Sequence, residues 1–284
     1  MRCFTFQDFQ ITPTLEEYEH FLRLPLTKTP PYFYRDITPR GVLESEMIRR
    51  KLNRNGMEGL PQMYLEERLR YFLEEDEWST FLDILGLLVY GNILFPHIND
   101  YMDIAIIDAF LTSRDQGENP NIAILANTYC TLNNCYERKG KSMVGYKHLL
   151  YLWLIAHMFH SKCKSVCPME DFKWCLMKAM TNKEWAQHLR HATERTVCWY
   201  PKWNEWKDII YKCGGFPNVP LMGTQGCTNY NPTLVLRQFG YPMILPLIEE
   251  AITLFMVYGL GAQNGELFRR IMQAWRNVLK KGCK

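Results

Sequence analysis

A nearly unbroken apolar run lies between Trp78 and Pro96, WSTFLDILGLLVYGNILFP. From Phe81 to Phe95 only Asp83, Asn92 and two glycines interrupt it. A helix that is apolar on almost every side has to be wrapped by other helices, so this segment is expected to be the central helix of one core. It is not expected to span a bilayer. A span needs ~20 clean apolar residues, and Asp83 falls inside the run.

Upstream, Cys3, Thr5 and Gln7 alternate with Phe4, Phe6 and Asp8, which allows a short strand. Thr14-Leu15-Glu16-Glu17 is a capping box. The Thr14 hydroxyl can accept from the Glu17 amide while the Glu17 side chain reaches back. The helix it opens should run to about Leu24, where Pro25 stops it. Residues 27–39 hold Pro30, Pro31 and Pro39 and are expected to be extended. Gly41 to Asn53 patterns as an amphipathic helix carrying Arg49-Arg50-Lys51 near its end. Pro61 opens the next helix, through Leu65, Leu69 and Phe72. The acidic run Glu74 to Glu77 then precedes the apolar helix and complements its dipole.

Downstream, helices are expected over Tyr101 to Leu111, Asn119 to Lys139, Gly145 to His160 and Met169 to Thr193. Two closing helices follow, near Ile244 to Tyr258 and Gln263 to Lys280. Between them Gly214 to Pro232 is rich in Gly, Pro and Asn, a loop with room for a small hairpin. The fold class is therefore mainly α. The expected architecture is a multi-helix globular bundle around a central apolar helix, one domain over residues 1–284. Short β segments fall near the N-terminus and in the Gly/Pro-rich loop.

Composition narrows this picture. Of 284 residues, 47% are hydrophobic and 14% aromatic, which supplies a sizeable core and excludes a disordered chain. A net charge of +3 and a pI near 8.3 are too weak to imply nucleic acid, so any basic surface must be local. Met1 to Gln10 contains no apolar stretch of signal-peptide kind. Ten cysteines without framework spacing point to reduced thiols in a cytosolic or nuclear protein, not a secreted one.

Candidate chemistry is sparse. Gly140-Lys141-Ser142 resembles the end of a phosphate loop, but Cys135 stands where its first glycine belongs, within a helical pattern. Gly259, Gly261 and Gly265 miss the dinucleotide fingerprint by one residue, and no strand is expected before them. His157 and His160 share a helix face, with Cys163, Cys167 and Cys175 beyond, the best zinc candidates in the chain. Their spacing is looser than structural zinc sites use, so no metal is assigned. Cys130 and Cys135 do not share a face. No Gly-x-Ser-x-Gly elbow occurs, and Glu66-Glu67 or Asp100 with Asp103 are pairs that surface helices produce routinely. No catalytic residue and no cofactor is assigned. Basic groups cluster at Arg49, Arg50 and Arg54, at Arg138 to Lys141, and at Lys280, Lys281 and Lys284. With Trp199, Trp203 and Trp206 they form the elements of a nucleic-acid surface, through phosphate pairing and base stacking. The competing account is cations at helix ends and tryptophans in the core.

Several stretches in order resemble the plant mobile domain family. Thr14-Leu15-Glu16-Glu17-Tyr18 with Phe21-Leu22-Arg23-Leu24-Pro25-Leu26 is similar to its T-L-E-D-V…L-L-G-L-P-V opening, with Arg23 in place of the usual glycine. Gly91 to Pro96 resembles its L-F-P helix end, Ala123 to Tyr129 its L-A-x-x-Y helix, and Leu149 to Trp153 with His157 its L-L-x-x-W segment. Arg237-Gln238-Phe239-Gly240-Tyr241 matches its R-Q-F-G-Y signature. Phe216 to Leu221 and Asn229 to Pro232 resemble a legume-rich branch of unknown function.

The resemblance implies a predominantly helical domain, carried by host proteins and transposable elements, and linked to transposon silencing and genome maintenance in the nucleus. The family's "aminotransferase-like" label implies no activity here, since no lysine, acid and phosphate-binding set for pyridoxal is recognisable. Arg237 and Gly240 are expected to be structural, an ion-pair partner and a helix end. Related chains carry helices before the position of Arg2-Cys3-Phe4. The expectation is that their loss leaves an apolar patch at Phe4, Phe6 and Phe9. Three readings follow: a non-enzymatic nuclear module with a protein partner, a nucleic-acid-binding protein, and a metal-dependent enzyme. The first leads; none involves a membrane.

Overall fold

The computed structural model describes residues 3–26, 29–34, 52–54, 57–95, 101–137, 147–158, 181–199, 208–231, 249, 253, 255–259 and 261–282. Among them are eight α-helices and ten short strands, so the chain is mainly α. β1 (Phe4–Thr5) pairs antiparallel with β2 (Gln10–Ile11). Thr14 then caps α1 (Leu15–Leu22). The Glu17 amide donates to Thr14 Oγ1 at 3.2 Å, and the Thr14 amide donates to Glu17 Oε2 at 2.9 Å. The capping box is thus formed as its four residues predict. The helix stops at Leu22 because Arg23 is left-handed, with φ 55. Glycine occupies that conformation at least cost, and glycine is what the resembling motif carries.

β3 (Leu52–Arg54), β4 (Met57–Pro61) and β5 (Tyr101–Asp103) form an antiparallel sheet with β4 in the middle. Leu52 and Asn53 are therefore strand, not the end of an amphipathic helix, and Tyr101 to Asp103 are strand before a helix. Both assignments depend on partners distant in sequence, which local periodicity does not report. Residues 41–51 lie outside the described residues. Helices α2 (Gln62–Glu74), α3 (Trp78–Leu94) and α4 (Ile104–Gln116) follow, with α2 packed on α3 and α3 on α4. Then come α5 (Asn121–Glu137), α6 (Lys147–Met158) and α7 (Asn182–Arg190).

The C-terminal part is more β-rich than expected. β7 (Val219–Met222), β8 (Gly226–Tyr230) and β9 (Met256–Tyr258) make an antiparallel sheet. The first two are the small hairpin for which the Gly/Pro-rich loop has room. β6 (Asp208–Cys213) pairs with β10 (Val278–Gly282). Between β9 and β10 runs α8 (Gly265–Trp275). Met256 to Tyr258 and Val278 to Lys280 are thus strands, not helix. A strand does precede Gly259. It runs antiparallel to β8, so it builds no parallel βαβ unit, and the failed glycine spacing decides against a dinucleotide site.

The core is organised around α5, not α3. Every residue from Asn121 to Cys130 is buried, and α1, β7 and β8 pack on this helix. α3 buries only Ile84, Leu87, Leu88 and Gly91. Gly91 lies so close to Met102 that any side chain there would collide with it. The opposite side of α3 stands in solvent: Trp78 is 54% exposed, Leu82 59%, Val89 48% and Ile93 50%. The expected Phe patch is reduced, with Phe4 and Phe6 half-buried against the core. Phe9 is buried, Phe6 stacks on it at 4.4 Å, and Phe4 stacks on Trp153 at 5.8 Å.

Candidate functional site

Three places carry the candidate chemistry. The first is the surroundings of His157, on α6. Trp153 and His157 lie one turn apart and both meet Glu17, which α1 buries to 1% exposure. Trp153 Nε1 donates to Glu17 Oε2 at 2.8 Å. His157 Nε2 lies 2.9 Å from Glu17 Oε1, and Nδ1 lies 2.8 Å from the Cys198 carbonyl. That carbonyl only accepts, so Nδ1 donates to it, and a further proton lies between Nε2 and the carboxylate. Both ring nitrogens are spent. His157 is a cross-brace between α1, α6 and the segment at Cys198, and both nitrogens face protein oxygens instead of a metal. The zinc reading loses its first ligand. His160, Cys163, Cys167 and Cys175 lie outside the described residues, and no group of three potential ligands occurs among those described.

Sequence reasoning missed Glu17 as the hub. Its signal is local, the capping box, but its partners stand 136 and 140 residues away. Asp103 is likewise structural: it caps α4 by accepting from the Ala105 amide at 2.9 Å. Burial pushes its carboxyl up to about 7.

The second place is an open cleft of about 610 Å3 between the β6–β10 strand pair and the end of α8, lined by Lys212, Gly214, Gly215, Arg276, Asn277 and Leu279 among others. A smaller hollow of about 280 Å3 continues it along α8, lined by Arg269, Met272, Gln273 and again Arg276. Phe268, Ile271, Ala274 and Trp275 bury the other face of α8, and Trp275 Nε1 donates to the Pro220 carbonyl at 2.8 Å. Gly214 has φ 54 and a Cβ there would lie 2.9 Å from the Ala274 Cα, so the turn under the cleft demands glycine. In this strand pair, Leu279 faces Lys212 and Lys280 faces Ile210, so the register skips Tyr211. This bulge leaves Tyr211 and Lys212 both exposed.

The expected nucleic-acid residues fall apart accordingly. Arg54 sits on β3, far along the chain from the cleft, and Arg49, Arg50, Arg138 to Lys141 and Lys284 lie outside the described residues. Lys280 and Lys281 do sit on β10, the strand that walls the cleft. Lys280 faces Glu19, whose carboxyl burial pushes up to about 7 against the opposing pull of that lysine. Trp199 is no stacking platform: it packs edge-on against Phe9 and its Nε1 donates to the Glu194 carbonyl. Trp203 and Trp206 lie outside the described residues. The cations that line the cleft, Lys212, Arg269 and Arg276, went unrecognised in the sequence. The available signal is Arg269 and Arg276, seven apart and so on one helix face.

The third place is the outward face of α3. Trp78, Leu82, Leu85, Val89 and Ile93 recur at intervals of four, three, four and four, a continuous stripe on a helix. The one charged residue of the helix, Asp83, is drawn to Arg114 of α4 at 2.6 Å.

Residues 1–284 match the profile of a family described as "Domain of unknown function (DUF7745)". No curated protein and no solved structure matches the chain.

Proposed function

We propose that this chain, which belongs to the DUF7745 family, is a non-catalytic protein-interaction module of the plant mobile domain kind. It acts in the nucleus or nucleocytoplasm, in transposon silencing or genome maintenance. The observation that carries the interaction reading is the outward stripe of α3. Soluble proteins seldom leave a contiguous row of large apolar side chains in water unless something binds it. The Glu17–His157 pair, an acid beside a base among the described residues, supports the same reading, because both side chains are sealed from solvent and spent on structural bonds. The kinship with the plant mobile domain rests on the motifs and on where they fall. Thr14, Leu15, Leu125, Ala126, Tyr129, Leu149 and Trp153, letters the motifs share, are all buried, as a common core would require. The Arg237 to Tyr241 signature lies outside the described residues. No described helix is long and apolar enough to cross a membrane.

The test uses the full chain and a Leu82→Asp/Val89→Asp variant, checked for intact folding by circular dichroism and thermal melting. The stripe should hold a defined protein partner from a plant nuclear extract that the variant releases. Identical partner sets from both proteins would end the reading.

A further inference from the structure

We propose that the cleft between the β6–β10 strand pair and α8 binds a single-stranded nucleic acid through its phosphodiester backbone. This site is independent of the α3 stripe, and either can fail without the other. The charge balance is local and one-sided. Residues 208–231 and 261–282 hold six cations, Lys212, Arg269, Arg270, Arg276, Lys280 and Lys281, against two acids, Asp208 and Glu266. A chain of net charge +3 has thus gathered a surplus larger than its own total on one short part of its length. Among the described residues no carboxylate pairs with Lys212 or Arg276. Glu266 pairs with Arg269 at 3.0 Å, an exposed contact that a phosphate can replace, and Glu19 offsets Lys280.

Shape argues for a polymer. The two hollows share Arg276 and run together along α8, longer than one phosphate requires. The larger hollow is lined as much by polar as by apolar surface and stands open, unlike the mostly apolar pocket that encloses a small cofactor. Instead Gly215 leaves backbone uncovered, with no atom within 4 Å of where its side chain would stand. A sugar–phosphate chain can approach there.

Tyr211 selects the class of polyanion. It stands at the bulge, next in sequence to the cleft-lining Lys212, and is 44% exposed, with Leu279 of the facing strand 48% exposed. Cations beside an upstanding aromatic ring are what unpaired bases need, because bases stack on the ring while lysine and arginine hold the phosphates. An acidic peptide would use the cations but not the ring, and a duplex hides its base faces.

The experiment is fluorescence anisotropy on the purified full chain with labelled single-stranded oligo(dT) and oligo(U), the matching duplex, and poly-glutamate as competitor, across a salt series. The intact protein should bind single strands at about 50 mM salt and weaken steeply as salt rises. Lys212→Gln/Arg276→Gln should weaken binding by roughly tenfold or more and flatten the log–log salt slope by about 1.4, since each lost phosphate contact removes ~0.7. Lys212→Glu/Arg276→Glu should abolish binding. Tyr211→Ala should cost between about fivefold and a hundredfold for single strands and leave any duplex binding unchanged. Lys183→Glu, an exposed cation on α7, should change nothing beyond a small general effect. The proposal falls if the intact chain binds no strand at low salt. It falls equally if Lys183→Glu loses as much as the cleft variants, or if poly-glutamate competes as well as oligo(dT). Equal binding of duplex and single strand would remove the role of Tyr211.

Discussion

α3 and α5 are both seventeen residues long, and they exchange the roles their compositions suggest. α3 is built of Trp, Phe, Leu, Ile and Val with a single charge, yet half of it meets water. α5, NIAILANTYCTLNNCYE, holds four asparagines and two threonines, yet its first ten residues are all buried. Two properties make the difference. Ala123 and Ala126 are small, so α1 and the β7–β8 hairpin can come close. Most buried polar groups on α5 find a matched partner, Asn121 Oδ1 being the exception. Thr128 Oγ1 lies 3.2 Å from Tyr18 Oη, Asn127 Nδ2 donates to Thr224 Oγ1 at 2.6 Å, and Asn121 Nδ2 donates to the Leu24 carbonyl at 2.6 Å. Tyr129 Oη donates to the Pro13 carbonyl at 2.7 Å. Apolarity says that a helix gains from leaving water. Small side chains and paired polar groups say which neighbour it leaves water for.

The sharpest way to break this contrast is to cut the polar bonding around α5's neighbours. Glu17→Ala leaves the Trp153 and Thr14 N–H groups and the His157 ring without their acceptor in a dry site. It should cost about 3–5 kcal/mol in chemical denaturation. A loss below about 1 kcal/mol would mean that water enters and the node is not structural. Next, Leu125→Ala on α5 should cost about 2–5 kcal/mol, while Leu82→Ala on α3 stays within about 0.5 kcal/mol. Equal losses would erase the distinction between the two helices.

A smaller effect should appear with pH. Burial pushes Glu16 on α1 and Asp103 at the start of α4 each up to about 7, above the unfolded values of 4.5 and 3.8. Between those limits the folded chain holds more protons than the unfolded one, so stability falls as pH rises from about 4 to 7 and then levels off. Melting temperatures rising over that range would contradict the assignment, and Asp103→Asn should flatten the curve. The smallest effect is at the end of α1. Arg23→Gly should stabilise by about 0.5–1 kcal/mol by relieving a left-handed arginine. No gain would mean that contacts of the arginine side chain offset its backbone strain.

What the sequence disclosed follows the same division between near and far. The Thr14–Glu17 box, the start of α2 after Pro61, and the existence of α3, α5 and α6 were legible, because each is fixed by residues within a few turns. The strands at Leu52–Arg54, Tyr101–Asp103 and Val278–Gly282 were not. Each is short, and each is a strand only because another segment offers a ladder. His157 belongs to the second group. Beside His160 and Cys163 it looks like a ligand, and only Glu17, far away in the chain, makes it a brace. The cleft was half visible in Lys280 and Lys281. Lys212 and Tyr211 gain their meaning from a bulge that no local pattern announces.

The long span between Glu17 and its partners also sets an order of events at the ribosome. At about 5–20 residues per second, the 140 residues from Glu17 to His157 take on the order of ten seconds to appear. Through that interval α1 is finished, but its buried carboxylate has nothing to bury against. The N-terminal segment must therefore wait, unfolded or sheltered by a chaperone, until α6 has emerged.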